Sequence, residues 1–536
     1  MSSTYVPQSC APSGVWYSWR LGMPKNIVIC CDGTGNQYGA GNSNVVKLYQ
    51  TLIRDPHRQI AYYHPGVGTM GAKNALTAAG KFWTKFRGLA FGYGLYENIA
   101  DAYGFLMLTF EPGDQIYVFG FSRGAYTARA LCGMLRMFWI LSPGNEGLIP
   151  YAIRLFKSND DSLLARITGR ASKFRIAEGF KRTFGIECNP RFVGVWDTVS
   201  SVGWILDPIG YKSVRLPYTA SLEGVSEVRH AVSIDERRAF FRQNLVDEDP
   251  GRVKQVWFAG VHSDVGGSYP EGESGLSKIT LRWMLREAKE AGLLLDDGEV
   301  ARIMGASPAF VKPLANAMTH NSLKGLWLLG EFWPKWTLRR ISPPRVDPAK
   351  FRGSLRFNLF RRRFIAEDSC VHGSVLTRKA MIPSYNPSNL PQRYTPEDDP
   401  YTEQYRVHLE LGQTAVVGVH SRPKWNDTTL QVCKGEKYLF AASGTWYDAN
   451  IATGPAGYPS PSFPFRLVEW LRRDPKANWF ALIGTIGQSL AAPFVIGEGC
   501  TLDVHTEGIL YCFANDLPFT YFNNTGWVEV EVTRLA

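Results

Sequence analysis

Four short, almost wholly apolar runs dominate the first half of the chain: NIVICC (Asn26 to Cys31), QIYVF (Gln115 to Phe119), RFVGVW (Arg191 to Trp196) and VWFAGV (Val256 to Val261). Each stops at a glycine or a polar residue. Runs of this length without polar alternation are expected of strands covered on both faces. Helical spacing separates them, over Val45 to Leu52, over Leu95, Ile99, Ala102, Tyr103 and Leu106, and over Ala125 to Met137. This alternation predicts an α/β fold with a mainly parallel sheet and helices on both faces.

Gly120-Phe121-Ser122-Arg123-Gly124 lies between the second strand and the helix after it. Small residues flanking a serine permit the sharp turn that lifts its hydroxyl above the sheet, and the helix N-terminus aims amides at a developing oxyanion. A glycine turn that only packs helix on strand reads the same over five residues; the flanking strand and helix favour a nucleophile. A serine hydroxyl needs a base, and the base needs an acid to orient it. Asp197 follows RFVGVW and His262 follows VWFAGV, so both sit in loops after strand C-termini, where parallel sheets place chemistry. His230 and His372 also follow Ser122 and remain rivals for the base. Asp264 reads as a supporting acid or, more commonly, a loop-closing turn. Oxyanion donors are expected from the amide of Arg123 and from those of Gly33 and Thr34 in the loop after the first strand. The phosphate-binding pattern GxxxxGK(S/T) is absent, so no nucleotide role is expected.

With 536 residues, 45% hydrophobic and 20% charged, the chain has ample core material and falls outside the disordered and collagenous classes. Two or three domains are expected. The net charge of +11 is uneven: from Tyr405 onward 10 Lys or Arg face 12 Asp or Glu, so the basicity belongs to the larger N-terminal part. Such a surface suits phosphates, with lipid preferred over nucleic acid as partner. Nine scattered cysteines read as free thiols. Met1 to Pro24 lacks the pattern of a secretory signal, so synthesis in a cytoplasm is expected. Trp479 to Gly497 is uncharged, but Gly, Gln, Ser and Pro interrupt it within a strand-rich region, which argues against a membrane span.

Between Asn316 and Phe364 tryptophans and arginines interleave. Trp327, Trp333 and Trp336, with Arg361, Arg362 and Arg363, read as a membrane-facing set, because Trp favours the lipid interface and Arg the anionic headgroup. A cap packed on the sheet is the equal alternative. Pro383 to Pro400 holds five prolines and reads as a linker. Short alternating strands follow, as in a β-sandwich. The expected division is an extension at 1–25, a catalytic domain at 26–382 with the insertion at 316–364, a linker at 383–404 and a β-sandwich at 405–536.

The motifs CDGTGNQ, YYHPGVGT, GFSRGAYTARAL, FVGVWDTVSSVG, HAVSIDERR and WFAGVHSDVGGSY, in this order from about Asn26 to Arg378, resemble the catalytic domain of the type VI secretion lipase effectors, an α/β-hydrolase family. The resemblance implies an α/β-hydrolase fold, a Ser122, Asp197, His262 triad and phospholipase A activity on membrane glycerophospholipids. A cytoplasmic enzyme and a cargo delivered by a type VI secretion apparatus both fit the sequence, the second with the apparatus and an immunity protein as candidate partners.

Farther on, Asn515 to Gly526 gathers a carboxylate and side-chain amides on one turn-rich stretch, a donor set suited to calcium, although a polar β-turn is the commoner meaning. With GEKYLFAASGTWYD (Gly435 to Asp448), this stretch is similar to the calcium-dependent galactophilic lectins of the PA-I type. That resemblance implies side-chain oxygens from Asp516, Asn523 and Asn524, a backbone oxygen from Thr520 and a carbonyl near Tyr447 or Asp448. A sugar's hydroxyls would complete the shell. The family's sugar-contacting His and Gln segment is not recognisable in Pro459 to Asn478. The expectation is therefore a serine hydrolase acting on phospholipid, needing no cofactor for catalysis, with calcium and a glycan as ligands of the C-terminal part. The alternatives are an esterase or deacetylase on soluble or glycan substrates, and a non-catalytic glycan-binding protein.

Overall fold

The computed structural model describes residues 23–33, 39, 41–66, 93–158, 172–199, 216–239, 241–332, 335–338, 353–397, 406–460 and 463–536. Among the described residues eight strands form one sheet: β1 (Asn26–Cys31), β2 (Gln59–His64), β3 (Gln115–Phe121), β4 (Phe192–Trp196), β5 (Glu227–Ser233), β6 (Val253–Phe258), β7 (Cys370–Val371) and β8 (Thr395–Pro396). Their spatial order is β8-β7-β6-β5-β4-β3-β1-β2. Every neighbouring pair is parallel.

Both faces of this sheet are covered, which explains the unbroken apolar runs. Ile27, Ile29 and Cys31 of β1 pack into one cluster with α2 (Tyr93–Thr109) and α3 (Arg123–Phe138). Val28 and Cys30 point the other way, into a cluster with α1 (Asn44–Thr51) and α5 (Gly275–Glu290). The architecture is an α/β-hydrolase fold. Its strand order reverses between β1 and β3, and the crevice beyond the carboxyl ends of strands at such a point is where ligands bind in open α/β sheets.

The C-terminal part is built from β9 (Thr414–His420), β10 (Asn426–Val432), β11 (Lys437–Asp448), β12 (Leu482–Ile486), β13 (Gly508–Ala514) and β14 (Asn524–Arg534). One sheet runs Val407–His408, β10, β13, β12, Phe494–Val495; the other runs β9, β14, β11, Ile451–Thr453, with Gly499–Asp503 also on β11. Apart from the short parallel pair of Val407–His408 with β10, the pairing is antiparallel. Val528, Val530 and Val532 of β14 alternate with more exposed residues, and share one core with Val419, Leu430, Trp446, Leu482 and Leu510 from both sheets. The uncharged stretch Trp479 to Gly497 supplies β12 and Phe494–Val495. Among the described residues no helix is long and apolar enough to cross a membrane.

The two parts are in contact. Asn316 Nδ2 donates to Asp427 Oδ2 (2.6 Å), Lys312 Nζ to Thr429 Oγ1 (2.9 Å) and Arg422 Nε to Glu273 Oε1 (2.9 Å). Eight described cysteines carry free thiols.

Candidate active site

Ser122 occupies the turn between β3 and α3 at φ 59° and ψ −118°, a conformation that costs a non-glycine residue roughly 1–3 kcal/mol. The turn closes tightly: a Cβ on Gly120 would lie 2.5 Å from the Gly124 carbonyl oxygen. Only glycine fits there, which is the physical content of the small-residue flanks. The Ser122 amide donates to Trp196 O at the end of β4 (3.1 Å).

Three strand ends bring their side chains together above the sheet. His262 Nε2 lies 2.8 Å from Ser122 Oγ, and His262 Nδ1 lies 2.5 Å from Asp197 Oδ2. Ser122, His262 and Asp197 are only 8%, 4% and 1% exposed. His262 opens the short α4 (His262–Gly266), and its ring is held between Phe121 (4.7 Å between centroids) and Phe241 (4.9 Å, edge-on). Asp197, at φ 41°, donates its amide to Ala231 O (2.7 Å) and accepts the Ser233 amide at Oδ1 (2.9 Å). Burial alone would push the Asp197 carboxyl up, but the charge of Arg363 and the hydrogen bond from His262 outweigh it and hold it far below the carboxylate range. Burial depresses His262 below its usual value against the opposing pull of Asp197, which favours the neutral imidazole needed of a base.

The rival histidines lie elsewhere. His230 is buried on β5, with Nδ1 3.0 Å from Gln255 Oε1 and Nε2 accepting the Thr198 amide, and burial lowers it to about 4. His372 bonds Ser374 Oγ and stacks on Phe258. Asp264 closes its loop, accepting the amides of Val261 (3.0 Å) and His320 (3.1 Å), and also takes His320 Nδ1 at 2.6 Å. His320 reaches Glu273 Oε2 with its other nitrogen (3.2 Å); burial would lower it, but the two carboxylates raise it to about 9.

One oxyanion expectation needs correction. The Gly33 amide donates to Asp32 Oδ1 (2.6 Å), because that buried carboxylate gathers donors, Ser43 Oγ (2.6 Å) and Tyr63 OH (2.8 Å) among them. Arg123 stands at the first position of α3. Thr34 lies outside the described residues.

The membrane-facing set is corrected in two places. Trp327 is half-buried, edge-on to Phe241 at 5.2 Å, and so packs behind the ring that packs on His262. Arg363 is 6% exposed, its guanidinium on the Asp197 carboxylate, because a buried anion draws in the nearest cation. Arg361 is exposed and Arg362 lies 3.4 Å from Asp235 Oδ1. Trp333 lies outside the described residues, and for Trp336 only the backbone, on the hairpin strand Lys335–Leu338, is described. Sequence reasoning also passed over Glu236, although it lies within HAVSIDERR. It is buried, accepts the His262 amide (3.2 Å) and a forked pair of bonds from Arg238, and is held at about 2 because that pairing overcomes burial.

In the C-terminal part Asp516 Oδ2 accepts Asn524 Nδ2 (3.0 Å) and Oδ1 accepts Thr520 Oγ1 (2.8 Å), while Asp448 Oδ1 accepts Asn523 Nδ2 (3.1 Å). The Oδ1 atoms of Asn523 and Asn524 are buried without a protein partner. Two acceptor oxygens left bare beside two carboxylates fit a hard cation such as calcium. Tyr447, on the same β11 end, is partly exposed. His408, Cys433 and Glu436 also converge, but Arg534 Nη2 holds Glu436 Oε1 at 2.9 Å and so supplies the positive charge there.

The family model of the T6SS phospholipase effector Tle1-like catalytic domain matches residues 25–287. This segment is similar to the Tle1-like catalytic domains. The matched segment carries β1 to β6, Ser122, Asp197 and His262. An uncharacterized protein of Saccharomyces cerevisiae is 38% identical over 230 residues, which cover 41% of this chain and 32% of the yeast protein. The chain thus spans about a third of that relative's length. Among solved structures, an uncharacterized protein from Pseudomonas aeruginosa aligns at 21% identity and TM-score 0.30, over 52% of this chain and 47% of that one. The Tle1 effector bound to the VgrG spike of the type 6 secretion system aligns at 19% identity and TM-score 0.25, over 50% and 57%. The PllA-like lectin domain at the N-terminus of EclA aligns at 21% identity and TM-score 0.18, over 22% of this chain and 94% of that one.

Proposed function

We propose that the chain is a serine hydrolase that cleaves acyl esters of membrane glycerophospholipids, a phospholipase A reaction. The hydrogen-bonded chain from Ser122 Oγ through His262 to Asp197 carries the reading. His262 Nε2 takes the Ser122 proton as Oγ bonds the ester carbonyl carbon, and Asp197 steadies the imidazolium through Nδ1. The Arg123 amide is assigned to the oxyanion. Collapse breaks the bond to the lysolipid oxygen, which takes the proton from Nε2. Water, deprotonated in turn by His262, then attacks acyl-Ser122 and releases the fatty acid.

Lipid as substrate is supported by the matched family and by an apolar surface. Phe332, Phe357, Leu359 and Phe364 are exposed, Phe364 by 74%, on the segment that carries Arg361. Exposed apolar side chains beside cations suit a bilayer interface. The family supports delivery as cargo of a type VI apparatus; a spike protein of the VgrG kind and an immunity protein in the producing cell are the partners proposed with it. In the C-terminal part, Asp448, Asp516, Asn523 and Asn524 would hold calcium with backbone oxygens of Tyr447 and Thr520. Bound calcium supplies a positive centre for a glycan's vicinal hydroxyls.

A fluorophosphonate probe should label the wild type and not Ser122→Ala, and only the wild type should release fatty acid and lysolipid from phospholipid vesicles. A folded wild type that takes no label overturns the hydrolase reading. Activity confined to short soluble esters overturns the phospholipid.

A further inference from the structure

Arg363 reaches Asp197 from a segment beyond the matched family domain. Its Nη1 lies 2.5 Å from Asp197 Oδ1 and 2.8 Å from Ser233 Oγ; its Nη2 lies 3.0 Å from Asp197 Oδ2 and 2.5 Å from Phe241 O. Asp197 thus accepts from the Ser233 amide, both arms of the guanidinium and His262 Nδ1. The forked grip leaves the carboxylate one orientation, in which Oδ2 meets the imidazole. The segment is itself anchored: Glu331 accepts Asn358 Nδ2 (2.5 Å) and the Phe360 amide (2.9 Å), and Asn389 Nδ2 donates to Arg363 O (3.1 Å).

A lone carboxylate favours the imidazolium by its charge. A guanidinium on the same carboxylate cancels most of that charge, so the neutral base persists to lower pH. Among the described residues the other charged groups around His262 are Glu236, which accepts its amide and pairs with Arg238, and Asp264, on the same helix and paired with His320. Each of these is an acid already paired with a base. Among them only Arg363 shares the acid that His262 itself bonds.

We propose that Arg363 is a positioning residue for the triad: its fork holds Asp197 in the orientation that reaches His262 Nδ1, and its charge sets the lower edge of the pH range in which His262 is a base. This rests on the hydrolase reading above for its kinetic consequence, but not for its effect on the titration of His262.

The test compares wild type, Arg363→Lys and Arg363→Met in the full chain. Two readouts are used: hydrolysis of a soluble short-chain ester from pH 5 to 9, and the His262 titration followed by its ring-proton resonances. Arg363→Met should lower kcat on the order of 100-fold, as misorientation of a reacting pair does, with KM nearly unchanged. Its acid limb and its His262 titration should both move up by about one unit. Arg363→Lys keeps the charge and loses the fork, so it should lose kcat while keeping the acid limb. If Arg363→Met does not fold, Arg363→Gln, which also removes the charge, takes its place, and Ser233→Ala, which removes one anchor of the fork and keeps the charge, serves beside Arg363→Lys. Wild-type kcat and His262 midpoint in a folded Arg363 variant overturn the proposal. A wild type without hydrolase activity overturns the proposed function instead, while the His262 titration still decides the role of Arg363.

Discussion

Gly124 and Cys31 meet so closely that a Cβ on Gly124 would lie 2.2 Å from the Cys31 carbonyl oxygen. The contact presses the first turn of α3 onto the end of β1, at the point where the strand order reverses. It therefore sets how the Ser122 turn stands over the sheet edge that also carries Asp197 and His262.

Gly124→Ala should accordingly destabilise the chain by about 1–3 kcal/mol, the usual cost of overpacking against atoms that cannot move aside. Urea unfolding reads the loss, and fluorophosphonate labelling should slow with it. An unchanged midpoint would mean that β1 and α3 can part at no cost.

Asp197→Asn keeps the shape of the acid but removes the charge that steadies the imidazolium. A fall in kcat of about 10,000-fold is expected, as for other triads that lose this charge. The substitution also leaves the Arg363 guanidinium buried opposite a neutral amide, so unfolding temperature should drop as well. Steady-state kinetics and thermal melts measured on one preparation check both.

His320 stands between Asp264 and Glu273, with its pKa raised from 6.5 to about 9. A group raised in the folded state stabilises fully below its unfolded value and loses that contribution as pH climbs through the folded one. Stability should thus decline between about pH 6.5 and 9, by on the order of 3 kcal/mol in total. His320→Gln should flatten this slope in urea midpoints taken across the range. A slope that survives the substitution assigns it to another group.

Calcium should raise the unfolding temperature of the full chain and a chelator should reverse it, with Asp516→Asn abolishing the response. At one hundred times its dissociation constant a ligand stabilises by about 2.7 kcal/mol. Superimposable melts with and without calcium speak against the cation site on Asp448, Asp516, Asn523 and Asn524.

What could be read along the chain was whatever depends on neighbours in sequence. The apolar run of β1 announced burial on both faces, since Ile27 and Val28 need opposite cores. The GFSRG turn announced itself because Gly120 answers a clash with Gly124, within five residues. The residues after β4 and β6 were legible for the same local reason, a strand ending on a polar group. What no spacing rule reaches is pairing across long separations. Arg363 looked like one of three arginines bound for lipid, and only the folded chain turned it inward, 166 positions from Asp197, because a buried carboxylate cannot be left without a cation. The Gly33 amide was likewise drawn to Asp32. Strand and turn identity thus came from short-range sterics and hydrophobic pattern, whereas the partner of each buried charge was decided by which opposite charge the tertiary packing carried within hydrogen-bonding reach.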